Sequence, residues 1–314
     1  MVGPACERLP TQPIEPRRLP VQGITLVDWT ANGYSRRSSD RAIEAIASVG
    51  ATHLAIIVTA YQPDIRSNKV ATDSRRTPVP SAVGQALAKA QSLGLDVAIK
   101  PHIDLEDGSW RGHISPSDPT VWFESYTRFL LSWARMAESV GSRRFFVGAE
   151  LASTLHHATL WRRTISQVKS EFSGELVCAA SWDEAFNVPF WEDLDAVGVD
   201  FYFPVTNRKD PGRLEILANW QPWIDRLGAL HKRTGQNIIL TEIGYRSVDG
   251  AGMHPYAFDT TSRLDLTEQA DLYWAALEAT ADVPWLLGMY WWNWPSNGSG
   301  GLDDTDFTPA GKPA

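Results

Sequence analysis

The chain has 314 residues, of which 43% are hydrophobic and 21% are charged, values typical of a globular protein with a normal core. Its formal net charge of −8 argues against nucleic acid, which selects basic surfaces, so we expect a neutral partner and no nucleic acid. No run approaches eighteen uninterrupted apolar residues, so no membrane-spanning helix and no membrane partner are expected.

The N-terminal segment differs from the rest of the chain. Its sequence, MVGPACERLPTQPIEPRRLP, is rich in proline and lacks the apolar stretch of a secretory leader. We interpret residues 1–21 as a tail that lies against the body or is disordered. The chain as written is expected to be cytoplasmic, or secreted if a leader has been removed. The two cysteines, Cys6 and Cys178, indicate no disulfide framework and no particular compartment.

Short apolar runs alternate with helical patterns along the remaining chain. The runs predict strands at residues 23–28, 52–58, 95–100, 144–149, 176–181, 195–201, 237–241 and 285–291. They are rich in β-branched and aromatic residues and apolar on both faces, as buried parallel strands are. The spacing between them predicts helices over 38–50, 80–94, 119–140, 159–172, 213–234 and 267–281. Gly50 and Gly94 mark the ends of the first two helices, whereas the connection around residues 189–193 is too short for a full helix.

Eight strands alternating with helices favour a single α/β domain, a (β/α)8 TIM barrel formed by residues 22–314. A doubly wound open sheet is the competing architecture. It is disfavoured because no glycine-rich phosphate loop follows the first strand. No linker or compositional break marks a second domain.

Two of the predicted strands each end in a glutamate. RFFVGAELAST leads to Glu150 after the fourth strand, and NIILTEIGY leads to Glu242 after the seventh. In a barrel, these strands lie across the mouth from one another, where such enzymes carry their chemistry. Two carboxyl groups about 5–5.5 Å apart are typical of retaining glycoside hydrolysis. Each Glu alone could instead form an ion pair or cap a helix, but 14 tryptophans favour a cleft walled by rings that stack on sugars.

The motifs around these glutamates resemble those of clan A of the glycoside hydrolases. VGAELAST, TEIGY and the Trp-rich eighth strand carry that resemblance. KPHIDLEDGSWRG, the helix WFESYTRFLLSWA and the closing FTPAGKPA are similar to glycoside hydrolase family 113, the β-1,4-mannanases. The resemblance extends over nearly the whole chain from about residue 22.

This resemblance implies roles for individual residues. Glu150 is similar to the acid/base of the clan and Glu242 to its nucleophile. Tyr202, in GVDFYFP, matches the tyrosine whose hydroxyl contacts the nucleophile, although a tyrosine packed at the rim would serve structure alone. Most clan members place Asn before the acid/base, where it binds the sugar 2-hydroxyl. Here that position is Ala149, so another residue would have to make this contact.

The loop after the third predicted strand supplies further candidates. By resemblance, His102, Asp104, Trp110 and Arg111 are expected to contact sugar hydroxyls. His102 and Asp104 could equally brace the loop through buried hydrogen bonds, and Arg111 could be a surface charge.

Several tryptophans follow predicted strands and are candidates for stacking on sugar. In MYWWNWPSNGSGG, period-two alternation sends Trp292 and Trp294 to one face and Trp291 to the other. We expect the pair on one face to line the mouth. Trp29 after the first strand and Trp182 after the fifth are further rim positions.

Together these patterns predict a retaining endo-β-1,4-mannanase that acts on β-mannan or manno-oligosaccharides as a monomer. The alternatives are a retaining β-glycosidase of the same clan acting on β-glucan, xylan or an exopolysaccharide, and a noncatalytic carbohydrate-binding barrel. No cofactor or metal is expected, because neither HExxH nor a paired Cys/His spacing occurs.

Overall fold

The computed structural model of the chain describes residues 19–258 and 261–314. The eight strands are β1 (Val21–Val27), β2 (His53–Gln62), β3 (Asp96–Leu105), β4 (Arg144–Ala149), β5 (Glu175–Ser181), β6 (Ala196–Phe201), β7 (Ile238–Ile243) and β8 (Leu286–Pro295). The helices are α1 (Arg37–Ser48), α2 (Pro80–Ser92), α3 (Pro119–Ser139), α4 (Ala158–Lys169), α5 (Arg213–Thr234) and α6 (Leu266–Thr280).

The strands form one closed barrel in which each pairs in parallel with the next and β8 pairs with β1. The predicted (β/α)8 architecture is therefore confirmed, as is the position of each predicted strand. Three strands are markedly longer than the apolar pattern indicates, and the first of them, β2, continues to Gln62. β3 continues to Leu105 and β8 to Pro295, so polar and aromatic residues expected in loops belong to the barrel wall.

The helices form because one face of each carries the apolar residues that cover the barrel. In α1, for example, Ala42, Ile43 and Ile46 are buried, at the spacing of one helical face. Gly50 and Gly94 follow α1 and α2 with φ of 86° and 82°, a left-handed conformation that glycine adopts at helix ends. The predicted short connection after β5 is a 3-10 helix, Trp191–Asp193.

The barrel interior changes in character along its axis. Near the N-terminal ends of the strands it is filled by small and aromatic residues, including Ala55, Ala98 and Tyr290. Buried Lys100 and Asp200 lie on the side towards the mouth, and each has no exposed surface. A separate apolar cluster at the C-terminal ends of the strands consists of Val27, Ile57, Tyr202, Trp292 and Phe307. The interior is thus a packed core with a charged layer beneath the mouth.

The predicted tail, residues 1–21, lies outside the described residues as far as residue 18, and so does Cys6. Leu19 is buried and Val21 begins β1, so the barrel wall starts within the last residues of that segment. None of the helices in the described part of the chain combines the length and apolar character needed to span a bilayer.

Candidate active site

Glu242 lies in β7 at the mouth of the barrel, with an exposed fraction of 4%. Its Oε1 atom accepts a hydrogen bond of 2.5 Å from Lys100 Nζ, and its Oε2 atom accepts one of 2.9 Å from the Tyr202 hydroxyl. His102 Nε2 lies 3.7 Å from Oε1. Donors on both oxygens hold this carboxyl group in one orientation.

The position of Glu242 depends on an irregularity in β7. Along β6 the pairing advances one residue, from Val199 to Asp200, while β7 advances two, from Leu240 to Glu242. The extra residue, Thr241, forms a β-bulge, which re-aims the following side chain. Both Asp200 and Glu242 therefore reach the Nζ atom of Lys100, at 3.3 and 2.5 Å.

β3 supplies a row of polar side chains on one face. Because successive residues of a strand point to opposite sides, Lys100, His102 and Asp104 share a face. The exposed fractions of their side chains rise from 0% through 1% to 29%, so the row runs from the barrel interior to the rim. His102 and Asp104 therefore lie in the strand, and the prediction that placed them in a loop was wrong. The apolar pattern ends at Lys100, whereas the hydrogen-bonded ladder with β2 continues to Leu105.

Arg111 joins this row to the second glutamate. Its guanidinium contacts Asp104 Oδ1 at 2.6 Å, His102 Nδ1 at 2.8 Å and Glu150 Oε2 at 3.9 Å. Arg111 is therefore part of the site, and the surface-charge alternative was wrong. His102 and Asp104 form the buried bonds of the bracing alternative, yet those bonds lie within the site itself.

Glu150 directly follows β4 and adopts a φ of 53°, a left-handed conformation that non-glycine residues rarely take outside functional or strained positions. Its amide donates a hydrogen bond of 2.8 Å to the Ala179 carbonyl. Its side chain is partly exposed, and Oε2 accepts a bond of 3.3 Å from the indole N–H of Trp110. The backbone anchors this residue while its carboxyl group faces the mouth.

The electrostatic environments of the two glutamates differ. Burial and the negative charge of Glu242 raise the pKa of Glu150, against the opposing effect of Arg111. The two carboxyl groups are linked through shared neighbours, because Arg111 lies 3.9 Å from Glu150 and 2.8 Å from His102 Nδ1, and His102 Nε2 lies 3.7 Å from Glu242. A carboxyl group with a raised pKa retains its proton towards neutral pH. The site therefore combines a carboxyl group suited to donate a proton with a carboxylate surrounded by donors.

Charge in the buried layer is balanced locally. Burial by itself lowers the pKa of Lys100, but the charges of Asp200 and Glu242 outweigh it, so the net shift is upward and the ammonium group stays charged. Burial and the charge of Glu242 raise the pKa of Asp200 well above its usual range. Burial likewise raises the pKa of Tyr202 far above its usual value, which keeps its hydroxyl protonated and able to donate.

The tryptophans of β8 are not distributed as the alternation predicts. Trp292 belongs to the apolar cluster at the mouth, whereas Trp291 and Trp294 both pack in the core between barrel and helices. The predicted common face of Trp292 and Trp294 was therefore wrong. The cause is a register shift, since Ile24 pairs with Trp291 and Leu26 with Trp294. Between these two pairs β8 advances three residues while β1 advances two. The side chains of Trp291 and Trp294 therefore lie on the same outer face of the barrel.

Other aromatic side chains border the mouth. Trp29 and Trp110 are each 41% exposed, and each follows the C-terminal end of a strand. Trp182 is half-buried and stacks on the exposed Tyr256, with ring centroids 6.2 Å apart and planes 16° from parallel. Most remaining indoles pack in the core, so only part of the tryptophan excess borders the cleft.

Lys100, Asp200 and Tyr256 lie at the site but were not among the residues predicted from the sequence. The signal for the first two was a charged residue inside an otherwise apolar strand, in LDVAIK and in AVGVDF. Such residues are rarely buried without partners. Tyr256 lies on a long connection between β7 and α6, where no periodic pattern indicates what it contacts. Within residues 19–258 and 261–314, no group of three or more His, Cys, Asp or Glu side chains is arranged to hold a metal ion.

A closed (β/α)8 barrel with carboxylates at the ends of β4 and β7 and aromatic rings around its mouth defines the class of barrel glycoside hydrolases. Residues 21–312 match the family model of Glycoside Hydrolase Family 113. The chain belongs to this family and is a glycoside hydrolase, as the resemblance of its motifs predicted.

Solved structures agree with the fold. A family 113 β-1,4-mannanase, solved as a complex, is 24% identical with a TM-score of 0.86 over 93% of this chain and 95% of that one. The family 113 β-mannanase from Alicyclobacillus acidocaldarius, in complex with ManMIm, is 23% identical with a TM-score of 0.86 over 93% and 94%. A fungal β-1,4-galactanase is 15% identical with a TM-score of 0.59 over 93% and 96%. No curated protein sequence matches the chain.

Proposed function

We propose that this glycoside hydrolase is a retaining endo-β-1,4-mannanase. The observation that carries the proposal is the asymmetry of its two carboxyl groups. Glu242 accepts hydrogen bonds from Lys100 and Tyr202, which suits an ionised nucleophile. Glu150 has a raised pKa caused by burial and by the charge of Glu242, which suits a proton donor. A pair divided in this way matches the division of labour in retaining glycoside hydrolysis.

In the first step, a Glu242 oxygen attacks the anomeric carbon while the bond from that carbon to the leaving oxygen breaks. Glu150 gives its proton to the leaving oxygen, so the departing chain leaves as an alcohol. The products are a glycosyl ester on Glu242 and an ionised Glu150. Loss of the negative charge from Glu242 leaves the positive charge of Lys100 to interact with the ionised Glu150, which limits the electrostatic cost of this intermediate.

In the second step, Glu150 removes a proton from water as the water oxygen attacks the anomeric carbon. The ester bond breaks, Glu242 recovers its charge and Glu150 recovers its proton. Two inversions give net retention of anomeric configuration. Tyr202 holds Oε2 of Glu242 through its hydroxyl and keeps the carboxylate aligned for both steps.

The assignment of mannan as substrate is supported by membership of family 113 and by the solved relatives described as β-1,4-mannanases. Aromatic rings on several sides of the mouth support action within a polymer, because a sugar chain can stack on rings at both ends of a cleft. We assign this stacking to Trp29, Trp110, Trp182 and Trp292, and contacts to sugar hydroxyls to His102, Asp104 and Arg111. We further propose that the enzyme acts as a monomer.

The test is hydrolysis of a panel of polysaccharides by the native protein and by Glu242→Ala. We expect reducing ends from β-1,4-mannan and cleavage of mannohexaose, with the β-anomer as the first product in a proton NMR time course. The fall for Glu242→Ala should be at least about 10⁴-fold, because the covalent route is lost. Activity confined to β-glucan, xylan or an exopolysaccharide would replace mannan as the substrate. Equal rates for native protein and Glu242→Ala on mannohexaose would refute the mechanism.

A further inference from the structure

The donors around Glu242 are not all used. Lys100 Nζ donates to Glu242, to Asp200 and to the Thr241 carbonyl, which occupies its three N–H groups. The hydroxyl hydrogen of Tyr202 is used on Oε2 of Glu242. His102 is different, because its Nε2 atom is buried and has no hydrogen-bond partner among residues 19–258 and 261–314. A buried polar atom without a partner is costly unless a ligand satisfies it.

The proton on His102 can be placed by chemistry. A guanidinium group has only donors, so Arg111, at 2.8 Å from Nδ1, makes that nitrogen the acceptor. Burial, Arg111 and Lys100 all lower the pKa of His102 well below its usual value, so the ring is neutral. A neutral imidazole with an accepting Nδ1 carries its proton on Nε2. His102 therefore presents an unused N–H donor to the site.

This donor is held rigidly. Asp104 Oδ1 lies 2.6 Å from Arg111 and fixes the guanidinium that orients the ring. Trp292 stacks on the imidazole, with centroids 5.9 Å apart and planes 10° from parallel. The contact with Arg111 thus fixes the rotation of the imidazole ring in its own plane, and the stacking of Trp292 fixes its tilt. A donor fixed in advance loses little entropy when it binds a ligand.

Its position indicates which ligand atom it meets. Nε2 lies 3.7 Å from Oε1 of Glu242, so one hydroxyl oxygen can lie within hydrogen-bond distance of both atoms. The carbon that Glu242 attacks is the anomeric carbon, and the hydroxyl on the adjacent carbon is the 2-hydroxyl. The residue before Glu150 is Ala149, which is buried and offers only a methyl group. Its side chain has no donor for that hydroxyl.

We propose that His102 Nε2–H donates to the 2-hydroxyl of the sugar whose glycosidic bond is cleaved, and that the same hydroxyl donates to Oε1 of Glu242. This inference rests on the proposed function. Hydrogen bonds to the 2-hydroxyl strengthen as the anomeric centre becomes positively charged. The contact therefore selects for substrates that carry a hydroxyl at this carbon, and it contributes mainly to kcat.

The test crosses two substrates with three variants. The substrates are 4-nitrophenyl β-1,4-mannobioside and its analogue without the 2-hydroxyl on the sugar that bears the nitrophenyl group. His102→Phe keeps a flat ring against Trp292 and removes the donor, whereas His102→Gln keeps a donor. Trp292→Phe tests a rival donor, because Trp292 Nε1 is also buried at the mouth without a partner in the described part of the chain. Thermal unfolding checks that each variant is folded.

We expect His102→Phe to lower kcat/KM on the mannobioside by about 10²-fold, the effect of losing one donor that acts in the transition state. The native enzyme should cleave the deoxy analogue about as slowly as His102→Phe cleaves the mannobioside. On the deoxy analogue, His102→Phe should lower kcat/KM by less than about threefold. His102→Gln should recover part of the loss. An equal loss on both substrates overturns the inference, and so does a loss that depends on the 2-hydroxyl in Trp292→Phe alone.

A measurement on the native protein does not depend on any variant folding. In ¹⁵N NMR of histidine-labelled protein, His102 should show a protonated Nε2 and an unprotonated Nδ1 from pH 5 to 8. The Nε2–H resonance should shift on addition of mannotriose. A proton on Nδ1 overturns the inference while leaving the proposed function intact. If the native protein cleaves no β-mannoside, the mannanase proposal fails and takes the inference with it.

Discussion

The Nζ atom of Lys100 lies 2.5 Å from Oε1 of Glu242, and neither side chain is more than 6% exposed. The pair is not isolated, because Nζ also contacts Asp200 Oδ1 at 3.3 Å and the Thr241 carbonyl at 3.1 Å. In a buried site, removal of one partner leaves the other charge uncompensated. Lys100 therefore acts on the reaction through Glu242, as a positioning residue.

The first prediction concerns this lysine. Lys100→Met should move the basic limb of the kcat/KM profile to higher pH, because Glu150 loses a positive charge that lowers its pKa. Lys100→Arg should retain the position of the limb with a lower kcat, since the charge is kept and the geometry is not. The measurement is kcat/KM on an aryl β-mannobioside between pH 4 and 9.

The matched control is Lys89→Met, since Lys89 pairs with Glu44 on the surface, where their side chains are 28% and 52% exposed. An exposed pair contributes little to stability or function, so its profile should equal that of the native enzyme. A Lys100→Met profile of unchanged shape, merely scaled down, would mean that the lysine serves folding alone.

The second prediction concerns Glu150. Glu150→Ala should lower kcat/KM on manno-oligosaccharides by about 10²–10⁴-fold, the range for loss of an acid/base. Aryl mannosides with a dinitrophenolate leaving group should lose far less in the glycosylation step, because that group departs without a proton. Azide should restore turnover and yield β-mannosyl azide, detected by NMR. Failure of azide to accelerate Glu150→Ala, together with an equal loss on both leaving groups, would remove the acid/base assignment.

The third prediction tests the surroundings of Glu150. The indole N–H of Trp110 donates to Glu150 Oε2 at 3.3 Å and so favours the ionised form. Trp110→Phe removes this bond and should raise the pKa of Glu150 further. The general acid must be protonated, so activity falls as pH rises through its pKa, and the basic limb of the profile should move to higher pH. Below that limb, kcat should change by less than about tenfold.

The control for this variant is Trp133→Phe in α3, whose indole is buried in the helix layer. This change also removes an indole but should leave both limbs in place. A basic limb that moves to lower pH in Trp110→Phe would contradict the direction of the effect of the hydrogen bond.

The fold could be predicted from the sequence because its signals are local. Each strand is a short apolar run, and each helix carries an apolar face ended by a turn, as Gly50 shows after α1. Glu150 and Glu242 were predictable for a related reason. A carboxylate at the end of an apolar strand is chemically out of place unless it has a function.

Other parts of the site could not be predicted, because they depend on register. The bulge at Thr241 in β7 and the three-for-two step in β8 decide which side chains face the mouth. A period-two pattern carries no information about such irregularities. The ladder that extends β3 beyond Lys100 is likewise set by pairing with β2, not by local composition.

The last prediction separates the indoles of β8 and therefore tests the register directly. Trp294 is 7% exposed and packs in the core between barrel and helices, whereas Trp292 lies at the mouth and stacks on His102.

Trp294→Ala should lower the free energy of unfolding by about 3–5 kcal/mol through the cavity it leaves, with kcat/KM unchanged at temperatures where the variant is folded. Trp292→Ala should lower kcat/KM by at least about tenfold, since it removes both a stacking surface and the support of His102. Denaturant unfolding and initial rates on mannohexaose measure the two effects. If Trp294→Ala impaired catalysis in the folded protein as much as Trp292→Ala, both indoles would face substrate, which the three-for-two step in β8 does not allow.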